Sequence, residues 1–163
     1  MTEVDRLLAG NESYVSGTRA RPDNAEPARR LAVLTCMDTR IDPLAALGLG
    51  VGEAHVLRNA GGRVTDDVLR SLALSVHVLG VRTVVVMQHT RCGLAHVTND
   101  DLHVRTGANI DFYPIADHAV ALRDDVNKLT ASEVLNPICE LAGMLYDVQT
   151  GEVKLQLRWR QDV

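Results

Sequence analysis

The sequence predicts an α/β fold with a mainly parallel central sheet flanked by helices and an antiparallel strand or hairpin at the C-terminus. Short continuous apolar runs, typical of strands covered on both faces, alternate with segments of helical periodicity. Near the C-terminus two alternating segments flank Thr150-Gly151, as in a hairpin. With 163 residues, 46% of them hydrophobic, the chain fits one domain, in which residues 1–29 form an N-terminal helix and arm.

The apolar runs place the strands. Three runs are typical of strands, and two alternating segments form the hairpin; in order they are 31–35, 54–57, 83–87, 144–148 and 153–157. The third run is almost purely β-branched, which favours a strand. Strands separated by helices in this order favour right-handed crossovers and a parallel sheet.

Capping signals and periodicity place the helices. Four are predicted: 3–15 behind Thr2, a brief helix from Asp42-Pro43 to about Gly48, 65–79, and 115–129 after Pro114. The helix at 65–79 opens with Thr65-Asp66-Asp67 and is apolar over much of its circumference, so we expect it to be capped by Thr65 and deeply packed. Residues 17–29 are expected to be loop, and the pattern is weak from Asp100 to Pro114.

Composition excludes several classes of protein. The formal net charge is −4 and aromatic residues make up 3%, which argues against a nucleic-acid binder. No apolar run approaches the roughly 18 residues needed to span a bilayer, and the first residues show no basic start followed by an apolar stretch, so no secretion signal is expected. We therefore expect no membrane association and a cytoplasmic location. Three cysteines are a poor disulfide framework; they suit a metal-binding pair plus one packed thiol, for which Cys139 is the candidate.

Three residues at strand ends are candidate metal ligands. Cys36 follows the first predicted strand, and His89 and Cys92 follow the third. Two thiolates and an imidazole suit a catalytic zinc with a fourth position open. If the two strands are neighbours, the three side chains converge at the carboxyl edge of the sheet. Each of the three residues alone is more often a packed residue than a ligand. Together with an acidic and a basic residue two positions apart, Asp38 and Arg40, the triple is hard to explain as packing, although these two alone could be an ordinary loop ion pair.

These residues also carry a family resemblance. Over residues 31 to 97 the sequence resembles the signature of the beta-class carbonic anhydrases, on three motifs: Cys36-x-Asp38-x-Arg40, Arg58-Asn59-Ala60-Gly61 and His89-x-x-Cys92-Gly93. The sequence further resembles a compact subgroup of this family, which includes small bacterial members and carbonyl sulfide hydrolases. This resemblance rests on three runs: Arg58 to Gly62, Thr65-Asp66-Asp67 and Arg70-Ser71-Leu72.

The resemblance implies an activity and roles for the residues. Cys36, His89 and Cys92 would bind Zn²⁺, and Asp38 with Arg40 would form a catalytic dyad. Zinc-bound hydroxide would then hydrate carbon dioxide reversibly to bicarbonate, with Asp38 orienting it. If Arg40 released Asp38, this carboxylate would become a fourth zinc ligand in a closed state.

Several further residues are candidates for the substrate pocket or its surroundings. Gly61 and Gly62 would bring backbone close to the substrate pocket, and Gly93 is a further candidate; all three could instead be ordinary turn glycines. Arg91 places an extra cation near the site. A histidine near the pocket mouth could carry the proton, but the sequence does not choose among positions 55, 77, 96, 103 and 118.

Substrate and assembly stay open. Carbonyl sulfide and carbon disulfide are linear molecules with an electrophilic carbon, so their hydrolysis to hydrogen sulfide and carbon dioxide is an alternative to carbon dioxide hydration. A non-catalytic zinc-binding module is a second alternative. The resemblance further implies a homodimer or homotetramer, in which the N-terminal helix could reach a partner.

Overall fold

The computed structural model describes residues 1–17 and 22–161 and has a five-stranded sheet at its centre. The strands are β1 (Leu31–Cys36), β2 (Ala54–Asn59), β3 (Thr83–His89), β4 (Glu140–Tyr146) and β5 (Val153–Arg160). They lie in the order β2-β1-β3-β4-β5. Every neighbouring pair is parallel except β4 and β5, which are antiparallel. This confirms the predicted fold class and makes β1 and β3 neighbours.

Two apolar clusters cover the faces of the sheet. Alternate residues of β1 show the division, since Ala32 and Leu34 belong to one cluster and Val33 to the other. Both faces of β1 and β3 are therefore buried, which is why these strands read as continuous apolar runs. Cys36 and Cys92 belong to the same cluster as Val33, so the core of that face continues up to the two candidate thiolates.

Five helices accompany the sheet in the described residues: α1 (Glu3–Ser16), α2 (Pro43–Ala46), α3 (Asp66–His77), α4 (Asn99–Thr106) and α5 (His118–Thr130). The short α2 begins as predicted, with Asp42 as its cap and Pro43 as its first residue. The expectation for α3 was wrong in two respects. Thr65 makes no side-chain capping hydrogen bond, and the Leu74 side of the helix is open, with Leu74 56% exposed.

The segment after Cys92 differs from the sequence-based expectation. The helix α4 was not predicted because it has no apolar stripe, and none of its side chains is buried among the described residues. Local signals define its ends instead: a reciprocal capping box joins Thr98 to Asp101, and Gly107 ends the helix at φ 70°.

Two further expectations need correction at the C-terminal end. The strand β4 begins at Glu140 and not at residue 144, because its N-terminal half pairs with β3 in the sheet interior. Cys139 was expected to be a packed thiol, but it is exposed. Its backbone N–H donates to Arg82 O at the start of the strand, and the neighbouring Ile138 takes the buried position.

The helix α1 stands apart from the core. Its N-terminus is capped as predicted, by Thr2 in a reciprocal capping box with Asp5. Within the described residues none of its side chains is buried, and Val4, Leu7 and Leu8 are 61–66% exposed. The predicted loop at 17–29 falls partly on residues 18–21, which lie outside the described residues. No helix in the described part of the chain is both long and apolar enough to cross a bilayer.

Candidate metal centre

The carboxyl ends of β1 and β3 bring the three predicted ligands together. Cys36 is the last residue of β1, His89 is the last residue of β3, and Cys92 follows in the next turn. One donor atom from each, Sγ or imidazole nitrogen, lies within 4.8 Å of the other two. All three residues are buried. The parallel pairing of β1 with β3 thus produces the convergence that the sequence predicted conditionally.

The donor geometry fits a tetrahedral metal ion. Zinc–sulfur bonds of about 2.3 Å place two sulfur ligands about 3.8 Å apart. The Sγ atoms of Cys36 and Cys92 are 4.0 Å apart. The group can therefore accept such an ion with only a small adjustment of the two side chains.

The protonation of His89 also fits a ligand. Its Nδ1 lies 2.9 Å from Thr90 O, and because a carbonyl only accepts, Nδ1 carries the proton. The lone pair of Nε2 then points into the group. Among buried side-chain nitrogen and oxygen atoms of residues 1–17 and 22–161, only His89 Nε2 lacks a hydrogen-bond partner. A buried polar atom is costly to leave unpaired, so this nitrogen is the strongest local sign that the three side chains bind a metal ion.

The two sulfurs shift each other's pKa. The pKa of Cys36 is lowered, chiefly because the Cys92 thiol hydrogen-bonds to it, with His89 and the Gly61 N–H adding to the effect. The pKa of Cys92 is raised by the same shared hydrogen bond and by burial. A metal ion takes both sulfurs as thiolates, so its binding would release the proton that they share.

Asp38 and Arg40 form a forked ion pair beside the three donors. Arg40 Nε lies 2.9 Å from Asp38 Oδ1, and Arg40 Nη2 lies 2.7 Å from Oδ2. These bonds hold the pKa of Asp38 well below its usual range. Arg40 Nη2 also donates to Arg91 O at 3.1 Å, which ties the pair to the loop between His89 and Cys92. Asp38 Oδ2 is 3.8 Å from His89 Nε2, beyond hydrogen-bond range but adjacent to the candidate ligands.

The three predicted pocket glycines have different surroundings. The Gly61 N–H donates to Cys36 Sγ at 3.3 Å. A Cβ at Gly62 would lie 3.0 Å from the backbone nitrogen of Cys36, whereas a Cβ at Gly93 would meet nothing within 4 Å. Gly61 and Gly62 therefore pack against Cys36, and Gly93 borders open space next to Cys92.

Two arrangements around the site were not predicted from the sequence. Arg58 was noted only as part of a motif, but its Nε donates to Cys36 O at 2.9 Å and its Nη2 to Asp38 O at 2.7 Å. It thereby fixes the backbone between Cys36 and Asp38. The second is a buried polar network that includes Asp125, whose partners are far apart in sequence.

The histidines that the sequence could not distinguish now differ. Those at 55, 77 and 103 bond to backbone carbonyl groups away from the centre. His118 is half-buried, and its Nδ1 lies 2.9 Å from the side-chain oxygen of Gln88, the residue before His89. Burial lowers the pKa of His118.

Comparison with known proteins assigns the family. A family model described as carbonic anhydrase matches residues 31–128. Beta-carbonic anhydrase 1 of Mycobacterium tuberculosis is 37% identical over 161 residues, covering 94% of this chain and 97% of the relative. The crystal structure of a carbonic anhydrase from Streptococcus mutans superposes with a TM-score of 0.86 at 39% identity, covering 96% and 99% of the two chains. A carbon disulfide hydrolase of Saccharolobus solfataricus is 46% identical over 99 residues, or 61% of this chain and 47% of that protein. On this agreement of motifs, site geometry and overall similarity, the chain belongs to the beta-class carbonic anhydrase family.

Proposed function

We propose that this protein is a zinc enzyme that hydrates carbon dioxide reversibly to bicarbonate. The observation that carries the proposal is the unpaired, buried His89 Nε2 between two cysteine sulfurs, with a forked carboxylate–guanidinium pair beside it. Cys36 Sγ, His89 Nε2 and Cys92 Sγ would hold the zinc. When bound, zinc would lower the pKa of a water molecule toward neutrality and so supply a nucleophile near pH 7.

The role of Asp38 follows from its hydrogen bonds. Arg40 keeps it ionised and therefore able only to accept hydrogen bonds. Its Oδ1 already accepts from the backbone N–H and Nε of Arg40. Within residues 1–17 and 22–161, Oδ2 accepts only from Arg40 Nη2, and it lies 3.8 Å from His89 Nε2. A lone pair on Oδ2 can thus accept a hydrogen bond from the attacking water and orient it toward the carbon of carbon dioxide. Gly93 would border the pocket, since a Cβ there meets nothing within 4 Å, whereas Gly61 and Gly62 would bring the backbone of the loop up to Cys36.

The Asp38→Asn variant tests this assignment. An amide presents N–H donors where the water needs an acceptor, so we expect zinc content close to one per chain but a loss of kcat of about 100-fold or more. Stopped-flow hydration and metal analysis measure the two quantities, with Asp42→Asn, which only caps α2, as the matched control. An Asp38→Asn enzyme with the parent's kcat would disprove the role.

The second candidate is hydrolysis of carbonyl sulfide or carbon disulfide at the same site. The similarity to a carbon disulfide hydrolase over 99 residues favours considering it. These substrates have the same linear geometry and electrophilic carbon. Parallel assays of carbon dioxide hydration and of hydrogen sulfide release from both sulfur substrates decide the matter, and a higher kcat/KM for a sulfur substrate would replace the first candidate.

A zinc-binding module without turnover is a weaker alternative. A purely structural zinc site saturates its ion with four protein ligands. Here the described residues bring only three such donors together, and Asp38 is held away by Arg40. Hydration activity that zinc-binding inhibitors suppress would exclude the module.

We propose that the chain acts as a homodimer or a larger homo-oligomer. The support is α1, whose apolar side chains Val4, Leu7 and Leu8 are exposed, together with the open Leu74 side of α3. Covering these surfaces in a second copy would bury apolar area that one chain leaves in water. Sedimentation of Leu7→Glu, with Ser13→Glu on the polar side of α1 as control, tests the proposal. We expect only Leu7→Glu to dissociate, and a monomeric parent at micromolar concentration would contradict the proposal.

We also propose that the protein works in a reducing compartment such as the cytoplasm. All three cysteines are free thiols, and the sulfurs of Cys36 and Cys92 are close enough that an oxidising environment would threaten the ligand pair. Cell fractionation tests the location; recovery in an oxidising compartment would refute it.

A further inference from the structure

The loop after β2, residues 60–63, holds a backbone N–H in a fixed position next to Cys36 Sγ. Gly61 donates its N–H to Cys36 Sγ. The loop is closed on itself by Asn59, whose side chain donates to Arg63 O at 2.8 Å and accepts from Arg63 N at 3.0 Å. The position of the Gly61 N–H therefore depends on where Arg63 is held.

Arg63 is held by a buried carboxylate. Its Nε donates to Asp125 Oδ2 at 2.7 Å, and Arg63 and Asp125 are only 8% and 3% exposed. The next residue adds a second link, since Val64 N donates to Asp125 Oδ1 at 3.0 Å. Arg63 Nη1 also donates to Tyr113 O at 3.1 Å, so the guanidinium is fixed from two sides. Asp125 therefore anchors the C-terminal end of the donor loop to α5.

The same carboxylate reaches the strand that carries the second ligand. Gln88 directly precedes His89 and is fully buried. Its Nε2 donates to Asp125 Oδ2 at 3.2 Å, and its Oε1 accepts from His118 Nδ1. Because the carboxylate of Asp125 can only accept, the amide orientation of Gln88 is set. One side chain thus connects the loop that donates to Cys36 Sγ with the strand that carries His89.

We propose that Asp125 is a positioning residue of the metal centre, which through Arg63 and Val64 holds the Gly61 N–H against Cys36 Sγ and through Gln88 fixes the end of β3. The inference rests on the proposed zinc site and adds to it a group that never touches the metal. Two physical consequences follow. The Gly61 loop and the end of β3 keep their places beside the candidate ligands, and the N–H···S bond reduces the charge that the Cys36 thiolate donates to the ion.

The rate of zinc release tests the positioning role. Removing a group that orients metal ligands typically weakens metal affinity about 10- to 100-fold. We expect zinc transfer from full-length Asp125→Asn to a chromophoric chelator to be faster by that factor, measured well below its unfolding temperature. The matched control is Asp124→Asn, an identical change at the exposed neighbouring position of α5, and it should release zinc at the parent's rate.

A spectroscopic measurement separates positioning from a general loss of stability. In cobalt-substituted protein, a thiolate that loses an N–H donor is easier to oxidise, so the thiolate-to-cobalt charge-transfer band should move to longer wavelength in Asp125→Asn. A mere loss of stability would leave the band in place. The Gln88→Met variant keeps the Arg63–Asp125 ion pair and decides the matter if Asp125→Asn does not fold; it should release zinc at least threefold faster than Asp124→Asn.

The outcomes distinguish this inference from the proposed function. Zinc release and a cobalt band in Asp125→Asn that match those of Asp124→Asn would overturn the inference and leave the proposed function intact. If Asp125→Asn does not fold, zinc release from Gln88→Met at the control's rate would overturn it. A parent protein that binds no zinc would overturn both. Faster zinc release together with the displaced band would support Asp125 as a positioning residue.

Discussion

Gly62 lies against the backbone of β1 beside the candidate metal centre, and its replacement by alanine should lower the free energy of unfolding. The residue has φ +62°, and an added Cβ would lie 3.0 Å from both Cys36 N and Thr35 C. These are backbone atoms of a buried strand and cannot rotate away. A left-handed conformation costs an alanine about 1–2 kcal/mol. Overpacking typically adds about 1–3 kcal/mol. The Gly62→Ala variant should therefore be about 2–5 kcal/mol less stable than the parent.

Two other glycines separate these contributions. Gly80 has φ +73° but open space around its Cβ position, so Gly80→Ala should lose only the conformational part, about 1–2 kcal/mol. Gly93 has neither the positive φ nor a close neighbour, so Gly93→Ala should be nearly neutral. Any excess loss in Gly62→Ala over Gly80→Ala then measures the close approach to β1.

Calorimetry on the three variants provides the assay. For a protein of this size each kcal/mol lowers Tm by about 2–4 °C, so Gly62→Ala should melt about 4–20 °C below the parent. Because the added methyl group presses on the Cys36 backbone, the bound zinc per chain should fall in the same variant. A Gly62→Ala protein within 0.5 kcal/mol of Gly80→Ala, with full zinc content, would refute the packing argument.

Three other perturbations give separate predictions. Removing zinc with a chelator should lower the unfolding free energy by about 4 kcal/mol relative to protein with free zinc near 1,000 times Kd, as thermal scans at the two conditions would show. Thr35→Val should cost about 1 kcal/mol in urea unfolding, because the buried Thr35 hydroxyl donates to Met87 O at 2.8 Å across β1 and β3. His118 has a lowered pKa when folded, so the unfolded chain binds more protons below pH 6.5 and stability should fall as pH drops through that value. The His118→Gln variant should lose less stability than the parent between pH 7 and pH 5.5; an equal loss would contradict this.

The convergence of the three candidate ligands could be predicted because local sequence and fold class suffice for it. Cys36 and His89 end two apolar runs, and a parallel sheet collects such ends at one edge. The only missing fact was whether β1 and β3 are neighbours, which strand order supplies. The ion pair of Asp38 with Arg40 is equally local, since two residues of separation put the guanidinium within reach of the carboxylate.

Other features could not be predicted because their causes are distant or nonperiodic. Asp125 meets Arg63 across 62 positions and Gln88 across 37, and no spacing rule links them. From the sequence alone, an aspartate on a helix such as α5 would be expected to face solvent. Asp125 is buried instead, because Arg63 and Gln88 bind its carboxylate. The exposed Leu74 shows the opposite case, in which an apolar residue on a periodic helix stays more than half exposed.

The candidate metal centre depends on both short motifs and contacts between residues that are distant in sequence. Short motifs determine which atoms can meet, but they do not determine the spacing between segments that are far apart in sequence. That spacing depends on buried polar contacts, and a buried ion pair with one partner removed leaves an uncompensated charge that costs about 3–5 kcal/mol. If the Gly61 loop or the end of β3 moved out of place, the contacts with Asp125 would break and the protein would lose this free energy. Apolar packing tolerates small shifts and does not impose such a penalty. For this reason the retention of metal and the stability of the core are expected to depend on the same carboxylate, although it lies outside every motif that identifies the site.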